Sequence, residues 1–377
     1  MFCGALTSTA DGRVLVNGGR NGGNSPWTSL FDYRDEDWHA GENMASGGRW
    51  YPTTLSLGDG KVLTGMGSAT NVRNPDLWDP DEGWNVLNGA DLVSLRTRRG
   101  GGGNQWFPLL SLAPDGNIFH YWDPVETHLI NTAGSGTTAN LNAATDDDNH
   151  GTGVQLMFDA GKLIVSGAND GGWNANTNSA FTVDLNTSMP TIRATSPMGH
   201  ARTFHHLIPM PNGDVMAVGG TGGQKFTDAG GILEPEIWNP QTGQWRGMAN
   251  MSVVRGYHST ALLLPDATVL TAGGGYPGGD HLDGQVFTPP YLYASDGSLA
   301  ARPTLSTDIS AVDVGQSFEV TTTGNIQDFG FVRMSATTHA VNTDSRFYKP
   351  EFEQTGTDTW SVTCLLYTSD AATILLV

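Results

Sequence analysis

Tyrosine and histidine side chains recur at one point of a pattern that the chain repeats. Four segments, GRWYPTTLSLGDG, NQWFPLLSLAPDG, ARTFHHLIPMPNG and VRGYHSTALLLPDA, align at an aromatic residue. The aligned aromatic residues are Tyr51, Phe107, Phe204 and Tyr257. In the last two segments a histidine follows, His205 or His258. Phenol and imidazole groups are oxygen and nitrogen ligands for a metal ion, provided that the fold brings these positions together.

The surrounding repeat indicates such a fold. Turn dipeptides recur after alternating apolar residues, with spacings of 48, 56, 45, 52 and 54 residues. They are Asp11-Gly12, Asp59-Gly60, Asp115-Gly116, Ala160-Gly161, Asn212-Gly213 and Asp266-Ala267. An apolar strand ending in glycine usually follows, and several copies end in a tryptophan, at Trp38, Trp84 and Trp245. This is the kelch pattern, one four-stranded propeller blade per repeat, in about six copies of which we expect the first to be incomplete. Equivalent positions of successive blades surround one central axis.

Composition supports an all-β class and excludes some partners. The chain has 50 glycines and 11 tryptophans among 377 residues, which is typical of short strands joined by tight turns. Its net charge of −19 argues against nucleic acid or an anionic membrane surface as a partner. No apolar run approaches the roughly 20 residues that a membrane span requires. A neutral or small substrate fits this composition better.

The repeat pattern ends near Phe287, and a connector rich in proline and turn residues, FTPPYLYASDGSLAARP, follows. Alternation resumes in SFEVTTTG, FGFVRMSATTHAVNT and TWSVT, which predicts a small antiparallel sandwich. We therefore expect a propeller domain over residues 1–290 and a truncated, immunoglobulin-like β-sandwich over 291–363. Residues 364–377 abandon the pattern and are expected to be a non-native tail.

The N-terminus begins directly in an alternating stretch, without a signal-peptide pattern, so we expect the propeller to be N-terminally incomplete. The two cysteines are Cys3 and Cys364. Because the second lies in the doubtful tail, a structural disulfide between them is not expected. One thiol neither supports nor excludes an oxidising compartment.

Three segments resemble the galactose oxidase and glyoxal oxidase family of copper radical oxidases. They are MFCGALTSTADGRVLVNGG, VVRGYHSTALLLPDATVLTAGGG and VRMSATTHAVNTD, and the connector TPPYLYASDGSLAARP is similar as well. The resemblance runs from Met1 to about Thr363 in the family's order. It implies a seven-bladed kelch propeller followed by a β-sandwich, and a secreted or cell-surface enzyme that acts as a monomer.

Carried over residue by residue, the resemblance implies a complete copper site. Cys3 would form a thioether bond to Tyr51, whose modified phenolate would bind copper and carry the radical. Tyr257 would be the axial ligand and proton acceptor. His258 and His339 would supply two imidazole ligands. Mixed nitrogen and oxygen ligands suit Cu(II) with one position open for substrate.

The implied reaction oxidises a primary alcohol or aldehyde, with carbohydrate among the candidate substrates, and reduces O2 to hydrogen peroxide. Copper accepts one electron, whereas oxidation of an alcohol removes two. The cross-linked phenol, which is easier to oxidise than ordinary tyrosine, would be the second redox centre. No dissociable organic cofactor is required.

One position departs from the family pattern. The family places a tryptophan after the blade turn that follows the cross-linked tyrosine, where it stacks on the thioether. This chain reads GMGSATN there, with Ala69 near the expected place. Trp173, in the loop segment GANDGGWN, is our candidate for the shielding role, and a surface aromatic is an equal alternative. The departure also leaves galactose in question as the substrate.

Other interpretations remain open from the sequence. Tyr51 and Tyr257 could be blade fillers like Phe107 and Phe204, and Cys3 a small buried apolar residue. We interpret His205 as structural or as support for the site, and the acidic run 146–148 as a solvated loop. A kelch propeller that binds a protein or glycan without catalysis is the main alternative. A glycosidase would need paired carboxylates, and no motif nominates them.

Overall fold

β-Strands make up almost all of the regular structure. The computed structural model describes residues 2–67, 74–91, 107–123, 126–141, 153–169, 176–187, 189–275, 279–310, 312–313, 315–333, 336–364 and 374–376. These ranges contain strands and one short 3-10 helix, Pro290–Leu292, but no α-helix. None of the described segments forms an apolar helix of membrane-spanning length. The predicted all-β class is confirmed.

Each repeat folds into an antiparallel meander whose strands follow chain order within the sheet. The first sheet contains β1 (Ala5–Ser8), β2 (Val14–Asn17), β3 (Thr28–Asp32) and β4 (Asp37–Ala40). The second contains β5 (Thr53–Ser56), β6 (Val62–Gly65), β7 (Asp76–Asp79) and β8 (Gly83–Val86). The third contains β9 (Leu109–Leu112), β10 (Ile118–Asp123), β11 (Glu126–Asn131) and β12 (Thr137–Asn140).

The fourth sheet contains β13 (Val154–Asp159), β14 (Lys162–Asn169), β15 (Asn176–Asp184) and β16 (Thr191–Ala194). The fifth contains β17 (Thr203–Pro209), β18 (Val215–Thr221), β19 (Glu236–Asn239) and β20 (Gln244–Gly247). The sixth contains β21 (Ser259–Leu263), β22 (Val269–Gly273) and β23 (Gly284–Phe287). The expectation that the first copy is incomplete was wrong, because its sheet has four strands like the next four sheets.

The first strands of successive sheets pack side by side. β1 contacts β5, and the same relation holds through β9, β13, β17 and β21. Apolar side chains fill the space between neighbouring sheets; Leu55 and Leu63 of the second, for example, cluster with Leu110 and Ile118 of the third. Burial of such faces is the main favourable contribution to folding. This succession of meanders around an axis confirms the predicted propeller architecture.

The C-terminal strands form two further layers. One sheet contains β24 (Leu305–Ser306), β25 (Ser317–Thr322), β31 (Thr359–Thr363) and β30 (Glu351–Gln354). The other contains β29 (Arg346–Tyr348), β26 (Phe331–Arg333) and β32 (Ile374–Leu376), and a bridge from Arg346 to Met157 joins it to β13. Phe318 and Val362 from the first layer pack against Phe331 and Tyr348 from the second. The two layers agree with the expected sandwich.

The domain limits at residues 290 and 363 stay predictions. The short strand β32 lies within the expected non-native tail, and its residues pair with Phe331–Arg333. The described part of that tail therefore takes part in a sheet.

A short hairpin of the C-terminal part reaches the propeller axis. Its strands are β27 (Thr337–Thr338) and β28 (Val341–Asn342). β27 contacts the first strands of the first and sixth sheets, whereas β28 contacts those of the fourth and fifth. The hairpin therefore carries residues 339 and 340, at its tip, into the centre of the propeller.

A buried histidine pair in the third sheet makes stability depend on pH. His120 and His128 lie opposite each other on β10 and β11, with their Nδ1 atoms 3.2 Å apart. Burial, and then the neighbouring His128, lower the pKa of His120 to about 3. Burial lowers the pKa of His128 to about 4. Both groups therefore stay neutral in the folded protein at pH values where the unfolded chain is protonated.

The unfolded chain binds protons below about pH 6.5, so acidification favours unfolding. We expect the pair to cost stability progressively as the pH falls from 6.5 towards 4, by about 1.4 kcal/mol per pH unit for His120. Urea unfolding at pH 7 and pH 4.5 measures this loss. His120→Gln should lose less stability than wild type between the two pH values, whereas His39→Gln, an exposed control, should not differ. Equal losses in wild type and His120→Gln would contradict the assignment.

Candidate active site

Four separate segments converge at the axis. Cys3 precedes β1, Tyr51 precedes β5, and Tyr257 and His258 precede β21. His339 is at the tip of the β27–β28 hairpin. The structure thus brings together all five side chains of the expected copper site, although they are separated by up to 336 positions in the sequence.

The sulfur and imidazole groups form a compact cluster. Ligand atoms of Cys3, His258 and His339 all lie within 4.8 Å of one another. The Cys3 Sγ atom is 3.9 Å from His258 Nε2. The two imidazole rings have centroids 4.6 Å apart and are nearly perpendicular, at 85°.

The two tyrosines complete the cluster. The hydroxyl groups of Tyr51 and Tyr257 are hydrogen-bonded to each other. The His339 ring contacts both tyrosines, with its centroid 5.6 Å from that of Tyr51 and 5.4 Å from that of Tyr257. The Tyr257 ring also lies against the next residue, His258, at a centroid distance of 3.9 Å. One small volume thus holds one thiol, two phenols and two imidazoles.

Left-handed backbone recurs at an equivalent position in five of the six repeats, the position of the remaining repeat lying outside the described residues. Five residues stand nine positions before the glycine or alanine of their hairpin turn, and all five have positive φ. They are Cys3 (φ 56), Tyr51 (φ 58), Phe107 (φ 49), Phe204 (φ 58) and His258 (φ 66). Positive φ is uncommon for residues other than glycine and typically costs about 1–3 kcal/mol where it is held in place.

This register corrects the sequence alignment by one residue. His258, and not Tyr257, is the structural equivalent of Tyr51 and Phe204. The sixth copy has one residue more between its arginine and its turn than the second and fifth copies. Counting forward from the arginine therefore aligns Tyr257 with Tyr51. Counting back from the turn aligns His258 with Tyr51, and the positive φ of His258 agrees with this second alignment. Because of the additional residue, the sixth sheet places both a phenol, Tyr257, and an imidazole, His258, in the cluster.

Buried arginines hold the segments that precede these positions. The Arg49 guanidinium donates to the Met66 carbonyl at 3.0 Å and pairs with the buried Asp76 carboxylate at 2.9 Å. In the sixth sheet, Arg255 Nη1 donates to the Gly273 carbonyl at 2.9 Å and to Asp283 at 3.1 Å. Arg202 makes the corresponding bonds in the fifth sheet. Each arginine thus connects two segments of its sheet, namely the residues that precede the first strand and the end of the second strand.

Burial shifts the pKa values of four groups in the cluster towards their uncharged forms. Burial raises the pKa of the Cys3 thiol, an effect that hydrogen bonds with Tyr51 and Trp50 partly offset. Burial and then the hydrogen bond with Cys3 raise the pKa of Tyr51 well above its usual range. Burial, with the neighbouring His258, lowers the pKa of His339 to about 3, and burial lowers that of His258. At neutral pH the imidazoles are therefore neutral and able to act as ligands.

The donor set fits a copper ion. The Nε2 atom of His339 is buried and has no hydrogen-bond partner among the described residues. Its Nδ1 atom lies 2.6 Å from Thr338 Oγ1. An unpartnered imidazole nitrogen beside a second imidazole and two phenols is what a metal with mixed nitrogen and oxygen ligands requires. The residues present therefore fit the group that the sequence resemblance implies.

A tryptophan that the sequence interpretation missed lies against the cluster. The Trp50 ring is 4.5 Å from that of Tyr51, at an angle of 35°. The Arg20 guanidinium lies 5.0 Å from the Trp50 ring centre. The signal was present in the sequence, because Trp50 directly precedes Tyr51 in GRWY. Trp173 lies outside the described residues, as does Ala69, so the role assigned to Trp173 stays a prediction.

Further aromatic residues line the tyrosines. Phe107 contacts Tyr51 and His339, both with ring centroids 5.0 Å away. Phe204 and Phe226 stack on each other and lie 5.1 and 4.6 Å from the Tyr257 ring.

His205 lies outside the thiol–imidazole cluster. Its Nε2 atom bonds Ser166 at 3.0 Å, and burial lowers its pKa well below the usual value. This agrees with the structural interpretation of His205. The acidic run 146–148 lies outside the described residues.

The architecture and the cluster define a kelch-type propeller with a thiol, phenol and imidazole site at its axis, completed by a C-terminal hairpin. Comparisons with known proteins agree with this class. The family model described as "Galactose oxidase-like, Early set domain" matches residues 302–374. A solved structure of a fungal alcohol oxidase in complex with copper matches with a TM-score of 0.90 and 30% identity, covering 98% of this chain and 80% of that one.

Two curated relatives are also similar. Galactose oxidase of Gibberella zeae is 31% identical over 372 residues, covering 92% of this chain and 53% of the relative. An aldehyde oxidase of Vitis pseudoreticulata is 26% identical over 310 residues, covering 72% of this chain and 56% of the relative. The chain belongs to the galactose oxidase and glyoxal oxidase family of copper radical oxidases. It spans about half the length of the curated relatives it matches.

The hairpin that carries His339 depends on one buried carboxylate. Asp344 accepts hydrogen bonds from Thr7 Oγ1 at 2.5 Å and from the Ser8 N–H at 2.7 Å, and its side chain is fully buried. We expect Asp344→Ala to lower the free energy of unfolding by about 2–4 kcal/mol, because both donors lose their acceptor. Denaturant unfolding measures the loss. Asp328→Ala, which removes a half-exposed carboxylate, should cost less than about 0.5 kcal/mol. Equal effects would contradict the anchoring role.

Proposed function

We propose that this chain is the catalytic part of a copper radical oxidase that oxidises a primary alcohol or aldehyde and reduces O2 to hydrogen peroxide. The observation that carries the proposal is the convergence of Cys3, Tyr51, Tyr257, His258 and His339 on one small, partly buried volume. A propeller that only binds a partner has no need for these groups at its axis. Family membership and the similarity to a copper-containing alcohol oxidase support the same function.

Tyr51, Tyr257, His258 and His339 would hold the copper ion. Bound copper supplies a one-electron acceptor, and the second redox equivalent must come from the protein. Tyr51 is the candidate, because it contacts Cys3 and is covered by Trp50. A thioether between Cys3 Sγ and a ring carbon of Tyr51 forms with loss of the thiol hydrogen and one ring hydrogen, and O2 is the oxidant that accepts them.

The two tyrosines have different roles in the oxidation of the substrate. With copper bound, Tyr257 would be a phenolate and could accept the hydroxyl proton, and the oxidised Tyr51 would remove a hydrogen atom from the adjacent carbon. Their direct hydrogen bond links the two acceptors. Oxidation of the alcohol to an aldehyde thus releases one proton, one hydrogen atom and one electron, which balances the two-electron change.

The surroundings of Tyr257 favour a substrate with an apolar part. Phe204 and Phe226 form an aromatic surface beside the phenol that accepts the proton. Small aldehydes and primary alcohols other than galactose fit this surface. We also propose, from the family resemblance, that the protein is secreted and acts as a monomer.

Mass spectrometry tests the cross-link. After incubation with Cu(II) and air, the peptides containing Cys3 and Tyr51 should be joined and two hydrogen atoms lighter than their sum, even after reduction. Alkylation of the unfolded, reduced protein should then label Cys364 but not Cys3, so that Cys364 serves as an internal control. Full labelling of both cysteines would exclude the thioether.

Peroxide formation tests the reaction. Copper-loaded, oxidised protein should release hydrogen peroxide with members of a panel of primary alcohols and aldehydes, in a coupled peroxidase assay. Tyr257→Phe should lower kcat/KM by about 10²–10⁴, because the ring remains while the proton acceptor is lost. Tyr33→Phe, at an exposed tyrosine, should keep wild-type activity. Copper binding without peroxide from any substrate would favour the non-catalytic alternative.

A further inference from the structure

The hairpin that carries His339 also carries a hydroxyl group in direct contact with its ring. Thr338 Oγ1 lies 2.6 Å from His339 Nδ1, within hydrogen-bonding distance. Both residues are partly buried at the propeller axis, next to His258 and Cys3. The hydrogen bond can run in either direction, because a threonine hydroxyl both donates and accepts and a neutral imidazole does the same at its two nitrogens.

The direction of this bond decides what His339 presents to the cluster. If Thr338 donates to Nδ1, the ring proton is on Nε2. That N–H would be a buried donor, and Nε2 has no hydrogen-bond partner among the described residues. An unsatisfied buried donor costs about 1–3 kcal/mol. If Thr338 accepts from Nδ1–H, Nε2 instead carries a lone pair, which is the form that a metal ion binds.

We infer that Thr338 is a positioning residue whose hydroxyl oxygen accepts the Nδ1–H of His339 and so presents Nε2 as the ligand nitrogen. The inference rests on the proposed copper site and adds the group that fixes one of its ligands. Metal-binding histidines commonly donate their second ring N–H to such a partner, and loss of the partner typically weakens metal binding 10–100-fold.

The same hairpin contains a matched control. Thr337, the neighbouring residue of β27, has a buried Oγ1 atom without a hydrogen-bond partner among the described residues. Replacement of either threonine by valine keeps the β-branched shape and removes only the hydroxyl group. The two variants therefore differ in one respect, namely whether the lost hydroxyl contacts His339.

Copper affinity of the full chain, measured by competition with a chelator, is the first test. Thr338→Val should bind Cu(II) about 10–100-fold more weakly than wild type. Thr338→Ser, which keeps the hydroxyl, should recover most of the affinity, and Thr337→Val should bind as wild type does. Equal affinities for Thr338→Val and wild type, or equal losses for both valine variants, would overturn the inference. Unchanged thermal unfolding of the metal-free variants shows that they fold.

The tautomer of His339 in the metal-free protein is the second test, and it does not depend on copper or activity. Nitrogen NMR of histidine-labelled protein should show His339 protonated at Nδ1 in wild type, Thr338→Ser and Thr337→Val, with the Nε2-protonated form growing in Thr338→Val. Protonation at Nε2 in wild type would overturn the inference. If wild type binds no copper yet has the Nδ1–H form, the proposed function fails while the role of Thr338 in fixing the tautomer stands.

Discussion

The site depends on a backbone conformation that most residues avoid. Cys3, Tyr51 and His258 each enter the first strand of a sheet with positive φ, which turns their side chains towards the axis. Because such a conformation is unfavourable for a bulky residue, surrounding contacts must hold it. In the second and sixth sheets a fully buried arginine does so, by bonding to the carbonyl that ends the second strand. Phe107 and Phe204 share the conformation, so it is a property of the repeat. The repeats that contribute to the site have a cysteine, a tyrosine or a histidine at this position instead of phenylalanine.

The remaining imidazole of the cluster comes from outside the repeat. His339 reaches the cluster because the C-terminal sandwich extends a two-stranded hairpin into the propeller, where Asp344 fixes it against the first sheet. His339 itself has positive φ, at 52°, as does Ala340, at 67°. The tight turn at the hairpin tip thus places an imidazole against the two phenols that the propeller contributes. Neither part of the chain contains the site alone.

Much of this arrangement was predictable from the sequence. Turn glycines, tryptophans near the end of several repeats and a period near 50 residues are local signals of the blade structure. The five side chains of the cluster were found from motifs. The register at Tyr257 and His258 was wrong by one, since a single added residue is invisible to an alignment that starts from the arginine. Trp50 was overlooked because the family pattern directed attention to a later loop. The entry of the hairpin into the axis is a contact between distant segments, which no local pattern encodes.

The late position of His339 in the chain sets an order on the assembly of the cluster. Strands within a sheet pair locally, whereas the hairpin must close a loop of more than 300 residues back to Cys3, and contacts of such long range form slowly. A chain whose blades have formed but whose hairpin is undocked lacks one imidazole of the cluster. The five-group cluster is therefore complete only after the C-terminal hairpin has docked, so its assembly requires the folding of both ends of the chain.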